Sequence, residues 1–131
     1  MDDFYRELIV ERYKYPAHKG FHQHSDRHFE DENPLCGDVL EIDLDVDNNG
    51  KIKDARFEGQ GCAISQAAAD LLLESVIGKN IEEIRALSKQ DVLDLLGIEL
   101  SPARLKCALL SLKVLKGAAY GLDQYANEDE L

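Results

Sequence analysis

The stretch "VLEIDLDVDNNGKIKDARFEG", residues 39 to 59, sets the architecture of this chain. Leu40, Ile42, Leu44 and Val46 alternate with Glu41, Asp43 and Asp45, the period of a half-buried strand with one wet face. Asn49-Gly50 suits a tight turn that needs positive φ. Residues 51 to 58 then form the return strand, with Ile52, Ala55 and Phe57 as its weaker apolar signal. A β-hairpin is the expectation.

Everything around the hairpin reads as helix or loop. Upstream, Phe4, Tyr5, Leu8, Ile9 and Tyr13 fall at helical spacing, with Arg6, Glu7, Glu11, Arg12 and Lys14 on the other side, and Pro16 ends the helix. Residues 17 to 34 hold all four histidines (His18, His22, His24 and His28) without an apolar period, and read as a solvated loop. Downstream, Ala67, Ala68 and Ala69 allow close packing in a helix that carries Leu71, Leu72, Val76 and Ile77 and stops at Gly78. Asn80 and Ser88 can cap two short helices, the second ending at Gly97. Ser101-Pro102 opens the last helix, striped by Leu105, Leu109, Leu112 and Ala119, and the final "NEDEL" should fray. The order predicts an α+β fold: a small antiparallel sheet with several helices on one face, and a single domain over residues 1–131.

A formal charge of −11 argues against nucleic acid and anionic membrane as partners, since both demand a cationic footprint. No apolar run approaches the ~20 residues that cross a bilayer. "MDDFYREL" opens with two acids and lacks a signal peptide's cationic region, so a cytoplasmic location is expected. In that reducing compartment three cysteines make no disulfide framework. They are free, ligating or reactive.

Each cysteine has its own context. In "NPLCGD", Cys36 and Asp38 lie two apart at a strand entrance, so their side chains share a face. Asp38 also shares parity with Leu40 and Ile42, where an unpaired carboxylate is costly and a cation would relieve it. The alternative is a turn aspartate satisfied by backbone N–H groups, beside a small buried cysteine. In "GQGCAIS", Cys62 falls at a helix start flanked by Gly59 and Gly61, where thiolate is favoured. A half-buried cysteine at a tight turn fits as well. In "RLKCALL", Cys107 lies roughly 200° around the helix from Leu105, off the main stripe, between cations that lower a thiol's pKa. Cys36 and Cys62 have 25 residues between them, and Cys62 and Cys107 have 44, unlike a local zinc module. Only the fold could unite them. Three thiolates and a carboxylate suit zinc or an iron–sulfur unit.

"NPLCGD", "ARFEGQGCAISQAAADLL" and "RLKCALLSLKVLKGA", with the "YRELIVERYKYP" helix before them, resemble the IscU/NifU-type iron–sulfur cluster assembly scaffolds, including the SufU branch. The resemblance implies that Cys36, Asp38, Cys62 and Cys107 cluster at an exposed end of a small α+β domain. It implies a pyridoxal-phosphate cysteine desulfurase as sulfur donor, iron and a transient [2Fe–2S] cluster on these residues, and apo-proteins as recipients. Zinc can occupy the same site. Lys106 stands where the IscU branch has histidine, and this resembles SufU, a zinc-dependent sulfur acceptor. In that alternative Cys107 carries the persulfide. The chain is, however, too short between Cys62 and Cys107 for the extra SufU segment. "LSPARLK" keeps only Pro102 and a later lysine of the IscU-type Leu-Pro-Pro-Val-Lys, which argues against an Hsp70-type chaperone partner.

Overall fold

The computed structural model describes residues 2–20, 27–33 and 37–120. His22, His24, Cys36 and the "NEDEL" end lie outside the described residues. The hairpin is present as β2 (Asp38–Val46) and β3 (Ile52–Gln60). Gly50 sits at φ +85°, the backbone region the turn requires. Leu40, Ile42 and Leu44 face the core from β2, and Ile52, Ala55 and Phe57 face it from β3. The β3 signal is irregular for a physical reason. A register shift opposite Asp45 and Val46 inserts one extra residue after Ile52, so the buried set changes parity between Ile52 and Ala55.

The sheet has a third strand that the sequence reading placed in a loop. β1 (Arg27–Asn33) pairs antiparallel with β2, and the order is β1-β2-β3. Its inner positions, opposite Leu44, Ile42 and Leu40, are Arg27, Phe29 and Asp31. Only Phe29 is apolar. Arg27 Nη1 donates to the Ala119 carbonyl at 2.6 Å, and Asp31 pairs with Lys113 at 2.8 Å. Polar contacts to the last helix thus replace the apolar stripe that marks most strands. At the other edge of the sheet, residues 18–20 run alongside Phe57 through main-chain bonds of 2.8 and 2.9 Å and cover β3.

Next come α2 (Ala63–Val76), a 3-10 helix (Ile81–Ala86), α3 (Lys89–Leu96) and α4 (Pro102–Tyr120). Asn80 and Ser88 both form capping boxes, with Glu83 and Asp91 respectively, and Gly97 ends α3 in the left-handed region. Ser88→Ala should lower stability by about 1 kcal/mol, read as a lower urea midpoint at unchanged slope. The α4 stripe of the sequence reading is too narrow. Between Cys107 and Ala119 almost every residue is buried, because α4 packs against β1, β2, α2 and α3 at once. Cys107 is therefore buried although it lies off that stripe.

α1 (Asp2–Lys14) also departs from its helical-wheel reading. Ile9 is buried, but Phe4 and Tyr13, assigned to the apolar side, are 64% and 47% exposed. Arg12, assigned to the wet side, instead reaches α2. Its Nη1 donates to Asp70 Oδ2 at 2.8 Å and to Glu74 Oε1 at 3.0 Å, and its Nη2 to Glu74 Oε2 at 2.8 Å. Leu8 and Ile9 pack against the core, and the Arg12 contacts add a polar clamp to that apolar seat.

Candidate metal centre

Three elements end at one place. Asp38 is the first residue of β2, Cys62 is the N-cap of α2, and Cys107 lies in the second turn of α4. One ligand atom from each, a carboxylate oxygen and two sulfurs, lies within 4.8 Å of the others. Asp38 is 2% exposed and Cys107 4%, while Cys62 is half-buried. An exposed end was the expectation from the resemblance. The described part of the site is mostly covered.

The local chemistry explains the placement. Cys62 takes extended backbone at the N-cap, and its side chain makes no capping bond. The capping role passes to Asp38, whose Oδ1 accepts the Cys62 N–H at 3.1 Å. A carboxylate at a helix N-terminus is favoured by the axial dipole, and α2 has no acid of its own in its first turn. So the turn-aspartate reading and the ligand reading of Asp38 coexist: Oδ1 holds the helix while Oδ2 lies 3.8 Å from Cys62 Sγ. The sequence between Asp38 and Cys62 permits this only through its glycines. A Cβ on Gly61 would run into Asp38 Oδ1 and stand 2.7 Å from both Asp38 Cγ and Ser65 Oγ. A Cβ on Gly59 would collide with the Val39 carbonyl oxygen.

Two soft sulfurs and one carboxylate brought together at a mostly covered site fit zinc or iron–sulfur cargo better than a hard cation. Cys36, two residues before Asp38, lies outside the described residues. Arg104 and Lys106, the cations that flank Cys107 in the sequence, are exposed on α4. The histidines that the structure describes do not join this group. His28 pairs with Glu41 on the outer face of the sheet, and the His18 main chain is bound to Asp70 and Phe57. Two residues escaped the sequence reading. Asp70 is fully buried on α2, and Gln66 is 4% exposed one turn beyond Cys62. A polar side chain breaking the small, apolar run "AISQAAAD" was the available signal for both.

Residues 4–129 match the family model for the NifU-like N-terminal domain. The chain belongs to that family. It is 36% identical to the zinc-dependent sulfurtransferase SufU of Bacillus subtilis (strain 168), across 91% of this chain and 92% of that protein. It is 32% identical to the iron–sulfur cluster assembly scaffold protein IscU of Escherichia coli (strain K12), across 87% and 90%. A nitrogen-fixing NifU-like protein (N-terminal) from Brucella abortus has the same fold, with a TM-score of 0.72 at 19% identity, across 94% of this chain and 96% of that one. Within the family, then, the α+β architecture is that of its solved relatives. No helix among the described residues is long and apolar enough to cross a membrane.

Proposed function

We propose that this chain, a single domain over residues 1–131, is a scaffold on which iron–sulfur clusters are assembled. Cys36, Asp38, Cys62 and Cys107 hold iron and a transient [2Fe–2S] cargo, a pyridoxal-phosphate cysteine desulfurase supplies the sulfur, and apo-proteins in the cytosol take the product. The observation that most supports this reading is the convergence of Asp38, Cys62 and Cys107 donor atoms within 4.8 Å from three separate elements. Soft sulfur suits iron–sulfur cargo. Family membership supports it too, since IscU of Escherichia coli is named as such a scaffold.

A second reading is a zinc-dependent sulfur acceptor. Lys106 before Cys107 favours it, as does the 36% identity to a protein named a zinc-dependent sulfurtransferase. Here the Cys107 thiolate attacks the outer sulfur of the desulfurase persulfide. The S–S bond breaks, and the desulfurase cysteine leaves as thiolate. Cys107 is 4% exposed, so this transfer requires the site to open around it.

Anaerobic reconstitution with iron, cysteine and a desulfurase separates the two. After desalting, the scaffold reading expects iron and acid-labile sulfide in matching amounts, lost in Cys36→Ala and Cys62→Ala. Zinc without sulfide, and a persulfide on Cys107, would establish the second reading in its place.

A further inference from the structure

The Gln66 carboxamide is a buried polar group that the described residues leave unused. The residue is 4% exposed, and neither Nε2 nor Oε1 has a hydrogen-bond partner among the described residues. Buried amides are nearly always bonded, because leaving one unmet forfeits its hydration without return. Its backbone is ordinary: the Gln66 N–H donates to the Cys62 carbonyl at 3.2 Å, one regular helical turn. The neighbouring Ser65 hydroxyl is already spent on that same carbonyl at 3.1 Å.

The position of Gln66 says where its amide can act. Residues four apart lie one above the other on a helix, and side chains lean back toward the N-terminus, over the preceding turn. For Gln66 that turn begins at Cys62, the half-buried member of the metal group. Two thiolates with a carboxylate already carry more negative charge than a divalent cation offsets. The candidate cations Arg104 and Lys106 are exposed on another helix. A neutral N–H donor aimed at sulfur relieves that excess from inside.

We infer that Gln66 is a positioning residue of the metal centre: its Nε2–H hydrogen-bonds to metal-bound thiolate sulfur at Cys62 and sets how tightly soft metal cargo is retained. The inference rests on the proposed function. In the metal-free protein the amide is a cost, and in the loaded protein it is satisfied. Stability and metal retention should therefore move in opposite directions when it is removed.

The test uses the full chain, zinc and cobalt(II) as probes, and Gln66→Met and Gln66→Leu, which keep the bulk and remove the donor. After chelation, both variants should melt about 3–6 °C above the parent chain. Their zinc and cobalt affinities, measured against a competing chelator, should fall about 10–100-fold, as expected for loss of an outer partner of a metal ligand. The cobalt–thiolate charge-transfer band should shift as the sulfur loses its donor. Unchanged affinity would overturn the inference, because the amide then does not reach sulfur. Variants less stable than the parent without metal would overturn it too, because the amide is then already satisfied. If the parent chain itself binds neither metal, the proposed function falls, and this inference with it. Metal binding by the parent that is lost in Asp38→Ala and Cys62→Ser, but retained in Gln66→Met, removes the inference alone.

Discussion

Gly61→Ala is expected to lose about 100-fold in zinc affinity and about 3 kcal/mol in stability of the metal-free chain. The backbone of Gly61 is not the obstacle, since its φ is not positive. The obstacle is space. The added methyl meets Asp38 Oδ1, and stands 2.7 Å from Asp38 Cγ and from Ser65 Oγ. Neither neighbour can yield cheaply. Asp38 is 2% exposed and anchored by the Cys62 N–H at 3.1 Å, and Ser65 is 1% exposed and bonded to the Cys62 carbonyl. Moving the carboxylate uncaps α2 and carries a metal donor away from the two sulfurs in one step. Gly37→Ala is the control. Gly37 has φ +73°, but an added Cβ there meets nothing within 4 Å. That variant should cost about 1 kcal/mol of backbone strain and leave affinity within a factor of about two. Chelator competition and urea unfolding read both quantities. Parent-like affinity in Gly61→Ala would mean that the Asp38 carboxylate is not a donor.

What could be read from the sequence was what short-range chemistry decides. Asn49-Gly50, Asn80, Ser88, Gly97 and Ser101-Pro102 each act within a few residues, and each marks the boundary expected of it. β1 was hidden because its inner face is built from Arg27 and Asp31, which are satisfied by Ala119 and Lys113 more than eighty residues later. No local window contains those partners. Gly117 shows the same dependence, since its missing Cβ is the space Phe29 occupies. The candidate site was legible as residue types, through the scarcity of cysteine and the resemblance carried by "CGD", "GCAIS" and "LKC". Its electrostatics were not. That one oxygen of Asp38 caps α2 while the other faces Cys62 sulfur follows only from the register that sets the start of β2 beside the end of β3.

Arg12→Met should destabilise the chain by about 3 kcal/mol, because it strands a buried charge. Asp70 is 0% exposed and accepts from Arg12 Nη1 and from the His18 N–H, each at 2.8 Å. Without the guanidinium, the carboxylate keeps, among the described residues, only the His18 backbone donor. Glu74, whose side chain is 49% exposed, is a different case, and Glu74→Gln should cost no more than about 1 kcal/mol. The Glu74 contribution also has a pH signature. The Arg12 hydrogen bonds hold the Glu74 carboxyl below its ordinary value near 4.5, opposed by partial burial. A carboxyl depressed on folding stabilises the native state above its unfolded pKa. That contribution is lost as pH falls through the lowered native value. The Glu74 part of the clamp should thus fade below about pH 4.5, and Arg12→Met should flatten that part of the acid limb of the stability curve. The double variant Arg12→Met/Asp70→Asn decides the cause. Asparagine still offers an oxygen to the His18 N–H and carries no charge, so if the penalty is an uncompensated carboxylate, the double variant must be more stable than Arg12→Met alone. If it is equally unstable or worse, the guanidinium acts through packing against α2, and the polar clamp on α1 is a consequence of the fold and not its fastening.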